Sequence, residues 1–162
     1  MAKRKTLSVS AVLTNRREAV RRQRATLAGL EKHKDSINMA LAATAAVQRL
    51  AESVWADAEY YEWDDAAHLS IHASVKVDSL KGQQMADILS AAESVQGLEA
   101  KTTLDYASEN FAERTFIYKG MIGACSVRLA IDARLPVDGE NCRRVQVGVE
   151  IKEVPKYEIQ CA

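Results

Sequence analysis

The chain has 162 residues, of which 48 % are apolar and 27 % charged, and its 22 basic side chains balance its 22 acidic ones. This length and composition suit one globular domain with an extension. No apolar run approaches the roughly 18 residues that span a bilayer, and no apolar stretch follows Lys3, Arg4 and Lys5 as it would in a signal peptide. We therefore expect an intracellular protein, cytoplasmic or virion-associated, that has no membrane partner.

Charge is strongly segregated along the chain. Residues 1–34 carry ten Lys and Arg against two Glu, so the remainder carries a matching negative excess. The basic residues that we expect to bind a nucleic-acid backbone or an acidic protein are Lys3, Arg4, Lys5, Arg16, Arg17, Arg21, Arg22 and Arg24. The acidic residues that we expect to form a second partner surface are Glu52, Asp57, Glu59, Glu62, Asp64 and Asp65. Such asymmetry is typical of a chain that binds charged partners.

Residues 14–62 are predicted to form one long helix behind a basic arm at residues 1–13. Thr14 or Asn15 can cap its start, and no proline interrupts it. Residues at seven-residue spacing form an imperfect heptad seam with one polar member: Leu13, Val20, Leu27, Lys34 and Leu41. The helix dipole favours acids near the start of a helix and bases near its end, and this segment has the reverse arrangement. The charges therefore do not stabilise the helix itself, and their pattern indicates binding to a partner.

The charge polarity of this predicted helix suggests how it could pair. Two antiparallel copies would place the basic end of one beside the acidic end of the other, whereas parallel copies would set like charges together. A different partner helix, or fold-back onto the protein's own sheet domain, would satisfy the same pattern. We therefore expect a homo-oligomer or a helical protein partner.

Residues 66–162 are predicted to form a domain of mixed helix and sheet. Strict alternation of apolar and polar residues over 68–77 indicates a half-buried strand, and a helix follows at about residues 80–95. Two shorter stretches, 98–106 and 114–119, have the composition of strands.

The last third of the chain contains two more alternating stretches, at residues 127–133 and 145–151. A turn-rich loop separates them, which predicts an antiparallel hairpin with one buried face. Tyr157 and Ile159 suggest a short terminal strand. The expected fold class is α+β, with a long, coiled-coil-like N-terminal helix followed by a mostly antiparallel sheet of four to six strands and one packed helix.

His68 and His72 are the main candidates for catalysis or metal binding. On a strand, four residues span about 13 Å, so one ion cannot be held by both side chains. Cys125 lies in a Gly-Ala-Cys-Ser sequence that lacks the flanking pattern of a nucleophile elbow, and it shares its parity with the apolar Val127. The three cysteines have no metal-site spacing, and no phosphate-binding glycine motif occurs. We expect no catalytic residue, no metal and no cofactor.

These observations predict a non-enzymatic assembly or adaptor protein that self-associates through its helix and binds partners through charged surfaces. The alternative is a nucleic-acid-binding accessory protein that grips phosphates through residues 3–5 and 16–24. A small enzyme that uses the face of His68 and His72 is the third hypothesis. In layout, with a basic arm, a long helix and then a compact sheet domain, the chain is similar to small phage-encoded structural or accessory proteins.

Overall fold

Helices precede a mixed sheet in the protein. The computed structural model describes residues 9–107, 111–136, 142–149 and 155–161, and the side chains of residues 10, 13–106 and 112–136. In chain order the elements are α1 (Val9–Lys32), α2 (Lys34–Ala43), α3 (Ala45–Leu50), β1 (Ser53–Tyr61), β2 (Ala66–Lys76), α4 (Gln83–Glu93), β3 (Leu98–Ala107), β4 (Phe111–Ile122), β5 (Cys125–Pro136), β6 (Cys142–Val149) and β7 (Pro155–Cys161). The expected α+β class is confirmed. No helix within the described ranges is both long enough and apolar enough to cross a bilayer.

Five strands form one sheet in the order β1-β2-β5-β4-β3. The β2–β5 pairing is parallel, and the other three pairings are antiparallel. Alternate residues of β2 and β5 are buried on the face that the helices cover, among them Leu69, Ile71, Val75, Val127, Leu129 and Ile131. Residues of α2, α3 and α4 join the same core through Ala40, Val47 and Ile88. The alternation in the sequence therefore identified the buried face of both central strands correctly.

The predicted hairpin between residues 127–133 and 145–151 is wrong in its pairing. β5 pairs with β4 and β2, whereas β6 pairs with β7, the predicted terminal strand. Gly123, with a φ of 60°, makes a two-residue turn between β4 and β5 possible, and this tight hairpin places β4 beside β5. Alternation specifies which side chains share a face, but it does not specify the partner strand.

The segment predicted as one helix over residues 14–62 is three helices followed by a strand. The junction residue of each break is hydrogen-bonded to both helices. His33 N–H donates to Gly29 C=O at 3.2 Å, and His33 C=O accepts from Ile37 N–H at 3.0 Å. Thr44 N–H donates to Ala40 C=O and Thr44 C=O accepts from Gln48 N–H, each at 3.1 Å. The buried Thr44 hydroxyl donates to the carbonyls of Ala40 and Leu41, a bond type that bends helices.

The helical segment ends at Leu50, eleven residues before the end of β1. Ala51 is extended, with φ −81° and ψ 149°, and the Glu52 N–H donates to the Ser74 carbonyl of β2 at 2.9 Å. The residues that follow pair with the edge of β2 and form β1. The predicted acidic residues therefore lie on or beside β1 and in the turn between β1 and β2, and not at the end of a helix. At the other end α1 already begins at Val9, within the predicted arm.

Candidate functional site

The N-terminal half of α1 is the first candidate surface. All described side chains from Leu13 to Arg24 are exposed. The five arginines of the predicted basic cluster lie here and form no ion pair with any described residue: Arg16, Arg17, Arg21, Arg22 and Arg24. Lys3, Arg4 and Lys5 lie outside the described residues.

Three large apolar side chains among those described in α1 are also exposed: Leu13 at 53 %, Val20 at 36 % and Leu27 at 63 %. At about 100° per residue, they lie on one side of the helix, opposite Gly29. Gly29 faces β1 so closely that a Cβ built there would lie 2.1 Å from the Tyr60 ring. The apolar line therefore points away from the sheet.

Arginines flank this apolar line. Arg16, Arg17, Arg21 and Arg24 line a shallow groove together with Val20. We name this outward side of the helix the α1 strip, and it consists of Leu13, Arg16, Arg17, Val20, Arg21, Arg24 and Leu27. Because α1 uses its opposite side to pack on β1, the described sheet of the same chain cannot cover the strip.

The second candidate surface is the face of the sheet turned away from the helices, at its β1 edge. Among the described strands β1 has one neighbour, β2, and their register pairs Trp55 with His72 and Glu59 with His68. Alternate residues of β1 therefore share this face with the two histidines. Glu62 and Trp63 follow in the turn between β1 and β2.

Large aromatic side chains are exposed on this surface: Trp55 at 55 %, Tyr61 at 38 % and Trp63 at 80 %. The ring of Tyr61 lies 6.0 Å from that of Trp63 and 4.8 Å from that of His68, measured between centroids. We name this surface the acid–aromatic patch, and it consists of Trp55, Asp57, Glu59, Tyr61, Glu62 and Trp63. Clustered exposed aromatics are enriched at protein interfaces.

Two of the six acidic residues predicted to form a partner surface, Asp64 and Asp65, already pair with basic side chains of the same chain. Asp65 pairs with Lys32 of α1 and accepts a hydrogen bond from the Tyr60 hydroxyl at 2.7 Å. Lys32 and Tyr60 lower the pKa of Asp65 to about 2. Asp64 lies 2.7 Å from Nε2 of His68.

The other four acids have no basic partner among the described residues. The carboxylate of Asp57 accepts from the Ala58 N–H at 2.9 Å, and that of Glu59 accepts from the Tyr61 hydroxyl. Both are uncharged donors. Glu52 and Glu62 are exposed on either side of them. These four carboxylates are therefore available to basic groups of another molecule.

Both histidines are engaged by their neighbours. His72 stacks on Trp55, with ring centroids 4.0 Å apart and planes 6° from parallel. Its Nε2 lies 3.1 Å from Nη1 of Arg128, and its Nδ1 lies 3.7 Å from the carboxylate of Asp132. Because arginine can only donate, Nε2 is the acceptor and the ring proton sits on Nδ1, facing Asp132. Both ring nitrogens of His72 are therefore engaged, which holds its ring in place. The ring of Trp55 is oriented by stacking on it.

The same surface offers little for metal binding. Within the described residues, no group of three or more His, Cys, Asp or Glu side chains converges on one point. Cys125 is fully buried, as its parity predicted, and burial raises the pKa of its thiol. The side chains of Cys142 and Cys161 lie outside the described residues.

Comparison of the chain with protein-family models, with curated proteins and with solved structures finds no match.

Proposed function

We propose that the protein is a non-enzymatic assembly protein that self-associates through the α1 strip. The observation that supports this proposal is the exposure of Leu13, Val20 and Leu27 on the side of α1 that points away from the sheet. Seven-residue spacing is the spacing at which a helix presents a continuous apolar line to another molecule. The coiled-coil-like character expected of residues 14–62 is thereby restricted to α1.

Apolar burial supplies most of the binding free energy in this proposal. Burying a Leu or Val side chain contributes about 1.5–3 kcal/mol, whereas an exposed ion pair contributes only about 0–1 kcal/mol. The arginines beside the apolar line mainly select a partner with acidic residues and exclude basic ones.

A triple substitution tests the proposal. Leu13→Ser, Val20→Ser and Leu27→Ser together should convert the multimer into a monomer that stays folded, because all three side chains are exposed in the single chain. Static light scattering after size-exclusion chromatography measures the molar mass. If the triple variant keeps the molar mass of the wild type, the α1 strip is not part of the interface.

The matched control removes three apolar side chains that are exposed elsewhere. Leu50, Leu104 and Met121 have exposed fractions of 43 %, 55 % and 53 %, similar to those of the strip. Their simultaneous replacement by Ser should leave the molar mass of the wild type intact. A lower mass in the control would indicate a general effect of surface polarity.

Nucleic-acid binding is the second candidate function, and one observation favours it. Four arginines line the groove around Val20 and have no acidic partner within the described part of the chain. Arg17→Ala, Arg21→Ala and Arg24→Ala together should weaken binding to all DNA or RNA sequences alike. The slope of log K against log salt should fall by roughly one unit for each phosphate that is no longer neutralised. A change in sequence preference would contradict backbone binding.

The small enzyme remains the third hypothesis. A general base needs a free ring nitrogen. The Nε2 of His72 accepts from Arg128, and the Nε2 of His68 faces Asp64, so of these two rings only His68 keeps a nitrogen, Nδ1, for that role. We therefore place it behind the two binding functions.

A further inference from the structure

We infer that the α1 strip of one copy docks on the acid–aromatic patch of a second copy of this chain. This inference rests on the proposed self-association and names the surface that receives the helix.

Charge complementarity singles out the patch as the receptor. The strip carries four arginines, and four carboxylates on β1 or directly beside its two ends have no basic partner among the described residues: Glu52, Asp57, Glu59 and Glu62. Two α1 helices aligned over their strips would instead oppose arginines with arginines, because the strip itself contains no acidic residue.

The two surfaces match in length. From Leu13 to Leu27 the helix rises about 21 Å, at 1.5 Å per residue. From Trp55 to Tyr61 the strand extends about 20 Å, at 3.3 Å per residue. A helix laid along β1 can therefore bring each end of the strip to one aromatic end of the patch.

The side chains are chemically suited to each other. An arginine guanidinium binds over the face of Trp or Tyr by a cation–π contact, and Leu or Val packs on the rest of the ring. Trp55 is held by its stack on His72, and Tyr61 by the edge of His68. Binding therefore costs little side-chain entropy on the patch side, because two of its three aromatic anchors are already fixed.

The strip and the patch of one chain face different directions, so a contact between them must join two molecules. α1 packs on the side of β1 that carries Tyr60, whereas Glu59 and Tyr61 point to the opposite side of the sheet. The strip in turn points away from β1. A chain cannot lay its own strip on its own patch without undocking α1 from Gly29 onward.

Charge reversal tests the pairing directly. One variant carries Arg17→Glu, Arg21→Glu and Arg24→Glu. The other carries Asp57→Arg, Glu59→Arg and Glu62→Arg. All six positions are exposed, and circular dichroism and melting curves check that each variant is folded. Each variant alone should self-associate roughly 100-fold more weakly than wild type, since like charges then meet across the interface.

An equimolar mixture of the two variants should recover association near wild-type affinity. In the mixture, each reversed surface meets a surface of opposite sign. Sedimentation velocity with one variant fluorescently labelled measures the mixed complex. Two variants that are monomeric alone and stay monomeric together would overturn the inference.

The matched control is Asp87→Arg, Glu93→Arg and Glu99→Arg, the same charge change on exposed acids of α4 and β3. It should associate like wild type. If the patch variant associates like wild type and the strip variant does not, the inference fails and the proposed function stands. If wild type itself is monomeric, or the strip variant associates normally, both fail.

Discussion

The N-terminal half of α1 and the centre of the sheet place regularly spaced apolar residues in opposite environments. Ile71 of β2 and Leu129 of β5 are fully buried, whereas Leu13 and Leu27 of α1 are more than half exposed. The spacing fits the local element in both regions, period two in the strands and period seven in the helix. The comparison teaches that periodicity identifies an apolar face, but the tertiary fold decides whether the chain itself covers it.

The largest expected effect comes from placing the same charge in both regions. Ile71→Asp buries a carboxylate without a partner and should destabilise the protein by about 4–5 kcal/mol or prevent folding. At a concentration low enough to keep the protein monomeric, Val20→Asp should change the free energy of unfolding by less than about 0.5 kcal/mol, because its site is exposed in the single chain. Urea denaturation measures both. Equal losses would mean that the helix is covered within its own chain.

The contact between α1 and β1 gives the next effect. Gly29→Ala should cost about 1–3 kcal/mol through the clash of its Cβ with the Tyr60 ring, partly offset by a gain of about 0.5–1 kcal/mol in helix propensity. Thermal denaturation of Gly29→Ala, Tyr60→Ala and the double variant measures the coupling. The double variant should be more stable than the sum of the two single losses implies. A stabilising Gly29→Ala would place α1 farther from β1.

The bend at Thr44 should give a smaller effect. Thr44→Val keeps the shape but removes the hydroxyl that donates to Ala40 C=O and accepts from Gln48 Nε2, each at 2.9 Å. Losing these bonds should cost about 0.5–1.5 kcal/mol, since Ala40 C=O still accepts from Thr44 N–H and Gln48 Nε2 still donates to Leu41 C=O. Thr103→Val, at an exposed position of β3, is the control and should be nearly neutral in the same urea titration. Equal behaviour would show that the hydroxyl contacts do not stabilise the bend.

The weakest expected effect is the pH dependence of the Asp65 contacts. The pKa of Asp65 is about 2 in the folded chain, below its ordinary value of 3.8, because Lys32 and Tyr60 bind the carboxylate. A depressed pKa stabilises the fold above the unfolded pKa, and this contribution is lost as pH falls toward the folded value. Wild type should therefore exceed Asp65→Asn in stability above about pH 4, and the difference should fade toward pH 2.

The partner variant provides the control for this pH dependence. In a Lys32→Gln background, adding Asp65→Asn should change the stability less than it does in the wild-type background, since Lys32 is the largest cause of the shift. Melting temperatures from pH 2 to pH 7 measure both differences. A wild-type advantage that grows on acidification would contradict the assigned contacts.

The sequence predicted much of the sheet but not its first strand. Alternation marked the buried faces of β2 and β5, since each residue step turns a strand side chain to the other face. In β1 the signals conflicted: Ala and Glu favour helix, whereas the alternation of Trp55, Asp57, Glu59 and Tyr61 fits a strand. This segment is a strand because it pairs with the edge of β2, and the local sequence does not specify a tertiary contact of that kind.

The charged residues of both candidate surfaces could be named from the sequence, but their surroundings could not. Arg128 and Asp132 reach His72 through the parallel pairing of β2 with β5, more than fifty residues apart in the chain. The direction of the α1 strip likewise depends on where Gly29 meets Tyr60. Composition and spacing therefore predicted the kinds of residue at each surface, and the fold determined which of them lie side by side.

Sedimentation equilibrium of the nucleic-acid-free wild-type protein over a wide concentration range tests the central claim most directly. The account predicts a molar mass that rises with concentration above the 17.8 kDa of one chain, and an association that weakens without vanishing when salt screens the arginines and acids. A mass of 17.8 kDa at every concentration and at low salt would contradict assembly through the α1 strip.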